Sequence, residues 1–179
     1  MPAGGGELVL VMRPAYSVQM DSLPLSFTRD YEFPRVIVWD ALIEADLVSG
    51  WLAESTITPE VGGEYNLTWL HMLGHPTTFG RVTVLQPCER LHVATTDRGR
   101  LEFSLDELAG GARVTSTRLH LLVDIEIEAA FAPRVRADWQ VNLDQLEELL
   151  RGHPVDWANW QRDRHHTWSR YLESADDSA

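Results

Sequence analysis

Alternation of apolar and polar side chains runs through the middle of the chain. Residues 25–33 alternate in this way, and so do residues 65–71, in which Trp69 and His71 share one face. A period of two residues is typical of half-buried strands. Further segments with this period follow, separated by turn signals such as Gly110-Gly111. The pattern predicts an antiparallel meander of short strands.

Helical spacing of apolar residues replaces the alternation at two places. Pro34 begins the first, a pair of short helices that Gly50 bends or ends, and Pro133 begins the second, a long helix that stops at Gly152. Proline suits the first turn of a helix because its missing N–H is not needed there. One face of the long helix carries Val135, Trp139, Leu143, Leu146 and Leu150. A long helix over a curved antiparallel sheet encloses a space, so the sequence predicts a container for a ligand.

Three parts of the chain are predicted: an N-terminal extension of residues 1–24, one globular domain of residues 25–152, and a C-terminal helical extension of residues 153–179. The C-terminal extension carries an aromatic stripe of Trp157, Trp160, Trp168 and Tyr171. Such a stripe most often packs on its own domain, and a subunit interface is the alternative. The sequence is therefore compatible with a homodimer formed through this extension.

Charge and composition exclude several classes of function. The net charge of −12 argues against binding to nucleic acid, which requires a basic surface, and against docking on anionic lipid. All 15 basic residues are arginines, so no lysine is present for Schiff-base chemistry. No apolar run approaches the roughly 20 residues that span a bilayer, and the start of the chain does not read as a signal peptide. We therefore expect a cytoplasmic protein without a membrane or nucleic-acid partner.

Six ordered segments resemble the START-like (SRPBCC) superfamily and, within it, the branch of activator of heat-shock protein 90 ATPase homologues. These segments are residues 34–42, 50–52, 59–65, 80–87, 89–91 and 139–150. The resemblance implies an α+β helix-grip fold. In that fold a curved antiparallel sheet wraps around a long C-terminal helix, and two short helices after the first strand close one end. The resemblance implies no single activity, because the superfamily contains lipid carriers, hormone receptors and polyketide cyclases.

Three polar residues are predicted to anchor a ligand inside the container. Arg118 shares its strand phase with Val114 and Ser116, and we interpret this phase as pointing inward. A guanidinium there stays charged and requires an anionic or carbonyl partner; the alternatives are a structural salt bridge or an outward phase. His71 and His120 are also predicted to point inward as polar anchors, and for each a hydrogen-bonded core or cavity-mouth residue is weighed against a proton shuttle.

Four aromatic residues are predicted to form the walls of the pocket: Tyr65, Trp69, Phe103 and Trp139. Aromatic walls with few polar anchors are typical of small-molecule pockets, and ordinary core packing is the alternative for each ring. No metal site is expected, since the spacing of His71 and His75 brings ligands together on a helix but not on a strand with a hairpin. The sequence contains no Gly-rich phosphate loop, and no cofactor is expected.

Three hypotheses of function follow. The first is a START-like protein, with no catalytic residue assigned, that binds a small, largely apolar and in some cases acidic ligand between the sheet and the helix. The second is a polyketide cyclase-like or dehydratase-like enzyme in which His120 beside Arg118 acts as general acid or base. The third is an interaction module that dimerises through residues 153–179. A cavity of several hundred cubic ångströms favours the first two, and a filled interior favours the third.

Overall fold

Eight strands and four helices form the described part of the computed structural model, which covers residues 21–110 and 115–176. The strands are β1 (Asp21–Tyr31), β2 (Glu54–Ile57), β3 (Tyr65–Thr68), β4 (Thr77–Thr78), β5 (Gly80–Gln86), β6 (Arg90–Thr95), β7 (Arg100–Ala109) and β8 (Thr115–Ile127). The helices are α1 (Arg35–Ile43), α2 (Ala45–Ser49), α3 (Ala132–Leu150) and α4 (Trp160–Asp176), with 3₁₀ turns at Ala129–Phe131 and Trp157–Asn159. Residues 1–20 and the predicted start of the last strand at Arg113 lie outside the described residues.

Five strands form a curved antiparallel sheet in the order β1-β8-β7-β6-β5, and β2, β3 and β4 form a smaller antiparallel sheet. Strands β5 to β8 follow one another as a meander, as the alternation predicts. Strand β1 pairs with β8 along its whole length, up to Tyr31 opposite Thr117. The smaller sheet joins β5 through a bridge between Glu64 and Arg81. This arrangement confirms the predicted antiparallel sheet.

The helices begin and end where the proline and glycine signals predict. Pro34 stands directly before α1, and Pro133 lies in the first turn of α3. Gly50 caps the end of α2, and Gly152, with φ of 89°, follows the end of α3. A positive φ strains a residue that has a side chain, so glycine suits this position. None of the helices in residues 21–110 and 115–176 is long and apolar enough to cross a membrane.

The core lies between the inner face of the larger sheet and α3. Phe103 of β7 meets Trp139 of α3 edge to face, with 6.4 Å between the ring centroids. The buried side chain of Gln145 ties α3 to the end of α2, because its Nε2 donates to Trp51 O over 2.6 Å. Each large apolar side chain that is fully buried contributes about 1.5–3 kcal/mol. This layer therefore fixes α3 on the sheet.

The phase of β8 is opposite to the predicted one. Thr117, Leu119 and Leu121 are buried against the core, whereas Arg118 and His120 lie on the outer face of the sheet. Because side chains alternate along a strand, the apolar row decides which phase faces the core. Burying leucines is favourable, and burying an unpaired guanidinium is not. The prediction that Arg118 and His120 point inward is therefore wrong.

The C-terminal segment, residues 153–176, packs on its own domain along α3. Trp160 is buried in a small cluster with Val141 of α3. Further along, the indole N–H of Trp168 donates to Asp138 Oδ1 over 2.7 Å. This packing agrees with the first interpretation of the aromatic stripe, and a homodimer through the segment stays a prediction.

Candidate functional site

A small cavity lies at one end of the core, where the β3–β4 loop, the β6–β7 turn, β8, α3 and α4 meet. Its volume is about 30 Å³, which is room for one or two water molecules. Small-molecule pockets usually enclose roughly 300–1,000 Å³. The cavity at this place is far smaller, because side chains of the protein such as Trp69, Trp139 and Trp160 occupy most of the space. A filled interior is what the interaction-module hypothesis predicts, and a ligand site here requires a rearrangement.

The β6–β7 turn holds Arg98 in the lining of the cavity. Thr95 fixes the turn, since its Oγ1 accepts the Arg98 backbone N–H over 3.0 Å and donates to Gly99 O over 2.7 Å. Gly99 has φ of 73°, and a Cβ at this position would lie 2.1 Å from Asp124 O. Glycine therefore lets the turn press against β8, which places Arg98 in the same lining as Ile125.

The guanidinium of Arg98 has no carboxylate partner among the described residues. Its centre lies 4.8 Å from the Trp69 ring centroid, and its Nη2 donates to Met72 Sδ over 3.2 Å. None of the ion pairs in the described chain includes it, and its buried Nε has no hydrogen-bond partner there. A guanidinium is permanently charged and has five N–H donors. The cavity is thus lined by a positive group whose donors are only partly used.

His71 contributes a neutral imidazole to the same lining. Its ring stacks on Trp160 with 4.6 Å between the centroids and meets Trp69 edge to face at 6.1 Å. Burial, together with the nearby charge of Arg98, lowers the pKa of His71 to about 4, so the ring is neutral at pH 7. The buried Nδ1 has no partner in the part of the chain that the structure describes. This nitrogen can donate or accept one hydrogen bond, depending on the tautomer.

Asp138 of α3 supplies the negative group of the site. Its Oδ1 holds the indole N–H of Trp168. Burial raises the pKa of Asp138, while the hydrogen bond from Trp168 and the charge of Arg98 act in the opposite direction. A partly buried carboxyl group and a neutral imidazole in one cavity are typical of sites that bind ligands or exchange protons.

Three of the predicted site residues line the cavity: Trp69, His71 and Trp139. The two other predicted wall residues belong to the packed core. Tyr65 is fully buried, and its Oη donates to Leu42 O over 2.8 Å. Phe103 packs on Trp139 and is not part of the cavity lining. Tyr65 and Phe103 are therefore core residues and not the pocket walls that the sequence predicted.

The outer face of the sheet holds the two remaining predicted anchors. Arg118 forms a two-pronged pair with Asp30, in which Nε–Oδ1 and Nη2–Oδ2 are both 2.7 Å. His120 Nδ1 lies 3.1 Å from Thr28 Oγ1, and His120 Nε2 lies 3.2 Å from Asp106 Oδ2. The salt bridge and the outward phase therefore both apply to Arg118. An acid–base pair of Arg118 and His120 inside the pocket is excluded, because neither side chain is inside.

Among the polar and aromatic residues of the lining, sequence reasoning missed four: Arg98, Asp138, Asn142 and Trp160. Arg98 stands in a turn between two alternating segments, which places it at an end of the sheet. Asp138 and Asn142 are four residues apart on the long helix and so share one side of it. Trp160 belongs to the aromatic stripe, but the stripe alone does not identify the surface on which it packs.

A curved antiparallel sheet, a long helix against its inner face and two short helices after the first strand define a helix-grip protein of the START-like class. The chain belongs to the family described as Activator of Hsp90 ATPase homolog 1-like protein, whose sequence profile matches residues 32–151. The match confirms the resemblance found in the sequence. It ends before the C-terminal segment, which contributes Trp160 to the cavity.

Solved structures share this fold at low sequence identity. A protein of Mesorhizobium loti is 18% identical and covers 74% of this chain and 100% of its own, with a TM-score of 0.61. CalU16 of Micromonospora echinospora is 21% identical and covers 84% of this chain and 89% of its own, with a TM-score of 0.57. DynU16, a protein in the dynemicin biosynthetic locus, is 17% identical and covers 73% of this chain and 48% of its own, with a TM-score of 0.57. No curated protein matches the chain.

Proposed function

We propose that the protein binds a small, largely apolar ligand with an acidic group, at the cavity between the sheet and α3. The observation that carries this proposal is Arg98, a partly buried guanidinium with an aromatic neighbour and no carboxylate partner in the described chain. Asp138 lines the same cavity and interacts with Arg98 through its charge, but the two form no ion pair, so an anionic ligand would add a direct charge-assisted bond to Arg98. Arg98 takes the anchoring role that the sequence suggests for Arg118.

The surroundings of Arg98 suit an apolar acid. A guanidinium can present two parallel N–H groups to a carboxylate, and such charge-assisted bonds are stronger than neutral ones. Trp69 and Trp139 supply apolar faces, and the neutral His71 supplies one further polar atom. Burial raises the pKa of Asp138, which lines the same cavity.

Native mass spectrometry of the purified protein tests this proposal through Arg98→Met. Arg118→Met is the matched control, because it also removes one guanidinium but from the outer face, where Arg118 pairs with Asp30. We expect a bound small acid in the wild type and in Arg118→Met. Its occupancy should fall at least about tenfold in Arg98→Met, since a hydrogen-bonded charge pair contributes about 1.5–3 kcal/mol. Equal occupancy in all three proteins would contradict the proposal.

A cyclase-like enzyme is the second candidate function, and Asp138 is the observation that favours it. Asp138 and the neutral His71 bring a carboxyl group and an imidazole with shifted pKa values to one cavity. The neighbour DynU16 also places one protein of this fold in a biosynthetic locus. The test is the compound bound to Asp138→Asn. An enzyme stalled at this residue would retain a precursor of the compound found on the wild type, whereas a binding protein would hold the same compound in both.

A further inference from the structure

The indole ring of Trp160 fills part of the space between the elements that line the cavity. Trp160 is 8% exposed and stacks on His71 at an interplanar angle of 26°. Its N–H donates to Gln145 Oε1 over 2.7 Å. The space that remains, about 30 Å³, admits only water. A larger ligand therefore has to displace a side chain of the lining.

The C-terminal segment is joined to the rest of the domain mainly by side-chain contacts. Val155 N donates to Gly50 O over 2.8 Å, but beyond this point the described segment is held to the body by side chains. The indole N–H groups of Trp160 and Trp168 are two of these contacts. Side-chain contacts can be released locally, so α4 can move while the sheet and α3 stay intact.

Trp160 leaves the polar groups of the site unsatisfied. An indole has one N–H donor and no acceptor, so it offers nothing to Arg98 Nε, which is buried without a partner in the described chain. An aromatic ring with a carboxylate would keep the stack on His71 and add an ion pair with Arg98. A neutral aromatic ligand forms no ion pair with Arg98. It must also compete for the place beside His71 with the Trp160 indole, which has a high effective concentration because it belongs to the same chain.

From these observations we propose that Trp160 is an internal substitute for the ligand, and that the C-terminal segment is a cover which the ligand displaces. The ligand class is a planar aromatic acid of about the size of an indole ring. This inference rests on the proposed function, because it names the ligand class and the control of that same site.

Trp160→Ala tests the proposal, with 2-naphthoate as the probe in isothermal titration calorimetry. The variant should bind this planar acid at least about tenfold more tightly than the wild type, because the competing ring is gone. Trp157→Ala is the matched control: it removes one contact of the segment, the indole hydrogen bond to Ser49 O, but leaves the Trp160 ring in the cavity, so its gain should be clearly smaller than that of Trp160→Ala. Trp157 also stacks on His71, at 5.9 Å, but it does not line the cavity. An equal gain in both variants would overturn the proposal, since it would reflect a loosened segment and not a vacated ring position.

Arg98→Met combined with Trp160→Ala distinguishes this inference from the proposed function. The gain for 2-naphthoate should disappear, while the neutral analogue 2-naphthalenemethanol should bind equally with and without Arg98. If binding depends on Arg98 but is equal in the wild type and Trp160→Ala, the substitute role is wrong and the proposed function stands. If binding does not depend on Arg98, or if folded Trp160→Ala binds no 2-naphthoate, both are wrong.

The wild-type protein gives a second readout that does not depend on the folding of a variant. The indole N–H of Trp160 is bonded to Gln145, and its NMR signal can be assigned with Trp160→Phe. Saturating 2-naphthoate should move this signal towards the position of a solvent-exposed indole, and the signal of Trp168 should move with it. A Trp160 signal that does not change while 2-naphthoate is bound would overturn the proposal.

Discussion

The pKa of His71 links stability to pH at the scale of a single residue. Burial lowers this pKa from 6.5 to about 4, so between these values the unfolded chain binds a proton that the folded chain does not. The free energy of unfolding should therefore fall as the pH falls from about 6.5 towards 4, and His71 should add no pH dependence above 6.5. Because the ring is partly exposed, we expect a loss of no more than about 2 kcal/mol.

Denaturant unfolding of the wild type and His71→Gln at about pH 7.5 and pH 4.5 measures this effect. Asp138 lines the same cavity, and its raised pKa makes the free energy of unfolding change with pH in the opposite direction. Because Asp138 is present in both proteins, the comparison isolates the contribution of His71. His75→Gln is the control, because His75 is exposed in the same loop. If His71→Gln keeps the full pH dependence of the wild type, another group is responsible.

The β6–β7 turn is the element on which the position of Arg98 depends. An alanine at position 99 would need φ of 73° and would place its Cβ 2.1 Å from Asp124 O. The left-handed conformation alone costs about 1–2 kcal/mol, and the contact with a backbone oxygen adds to it. Gly99→Ala should therefore lower the free energy of unfolding by at least about 3 kcal/mol.

Gly62→Ala is the matched control for the turn, and denaturant unfolding measures both variants. Gly62 has φ of 85°, but a Cβ there meets nothing within 4 Å. Gly62→Ala should lower the free energy of unfolding by only about 1–2 kcal/mol, the cost of the backbone conformation alone. Equal losses in the two variants would show that the turn does not press on β8.

The ends of an element could be predicted from the sequence where a single residue, such as a proline, restricts the backbone. Pro34 and Pro133 locate the starts of α1 and α3, because a proline without an N–H fits the first turn. The face of β8 was harder, since Arg118 belongs to one regular phase and Leu119 to the other, and only the apolar row shows which is buried. The role of Arg98 could not be predicted from the sequence, because the folded sheet brings the β6–β7 turn to the same cavity as residues of α3.

The described molecule consists of a body, formed by the sheets and α1 to α3, and the C-terminal segment. Backbone hydrogen bonds hold the sheets of the body together, whereas side-chain contacts attach the segment to the body. Backbone ladders connect β1 and β5 to β8, and α3 is packed in the core. In contrast, α4 contacts the body through side chains such as Trp168, bonded to Asp138, and Tyr171, bonded to Asp144. Breaking a few side-chain contacts requires less free energy than unfolding the sheet. We therefore expect the segment to open as a unit of its own.

Native-state hydrogen exchange followed by mass spectrometry tests this division. The amide hydrogens of α4 should exchange at least about tenfold faster than those of α3 and β8, through an opening that leaves the body folded. Low concentrations of denaturant should change the exchange of α4 very little, because the opening exposes little surface. Trp168→Phe removes one indole hydrogen bond to Asp138, and it should accelerate exchange in α4 but not in β8. If α4 and β8 exchange at the same rate, the helical hydrogen bonds of α4 open only together with the body, and α4 is not a separate unfolding unit.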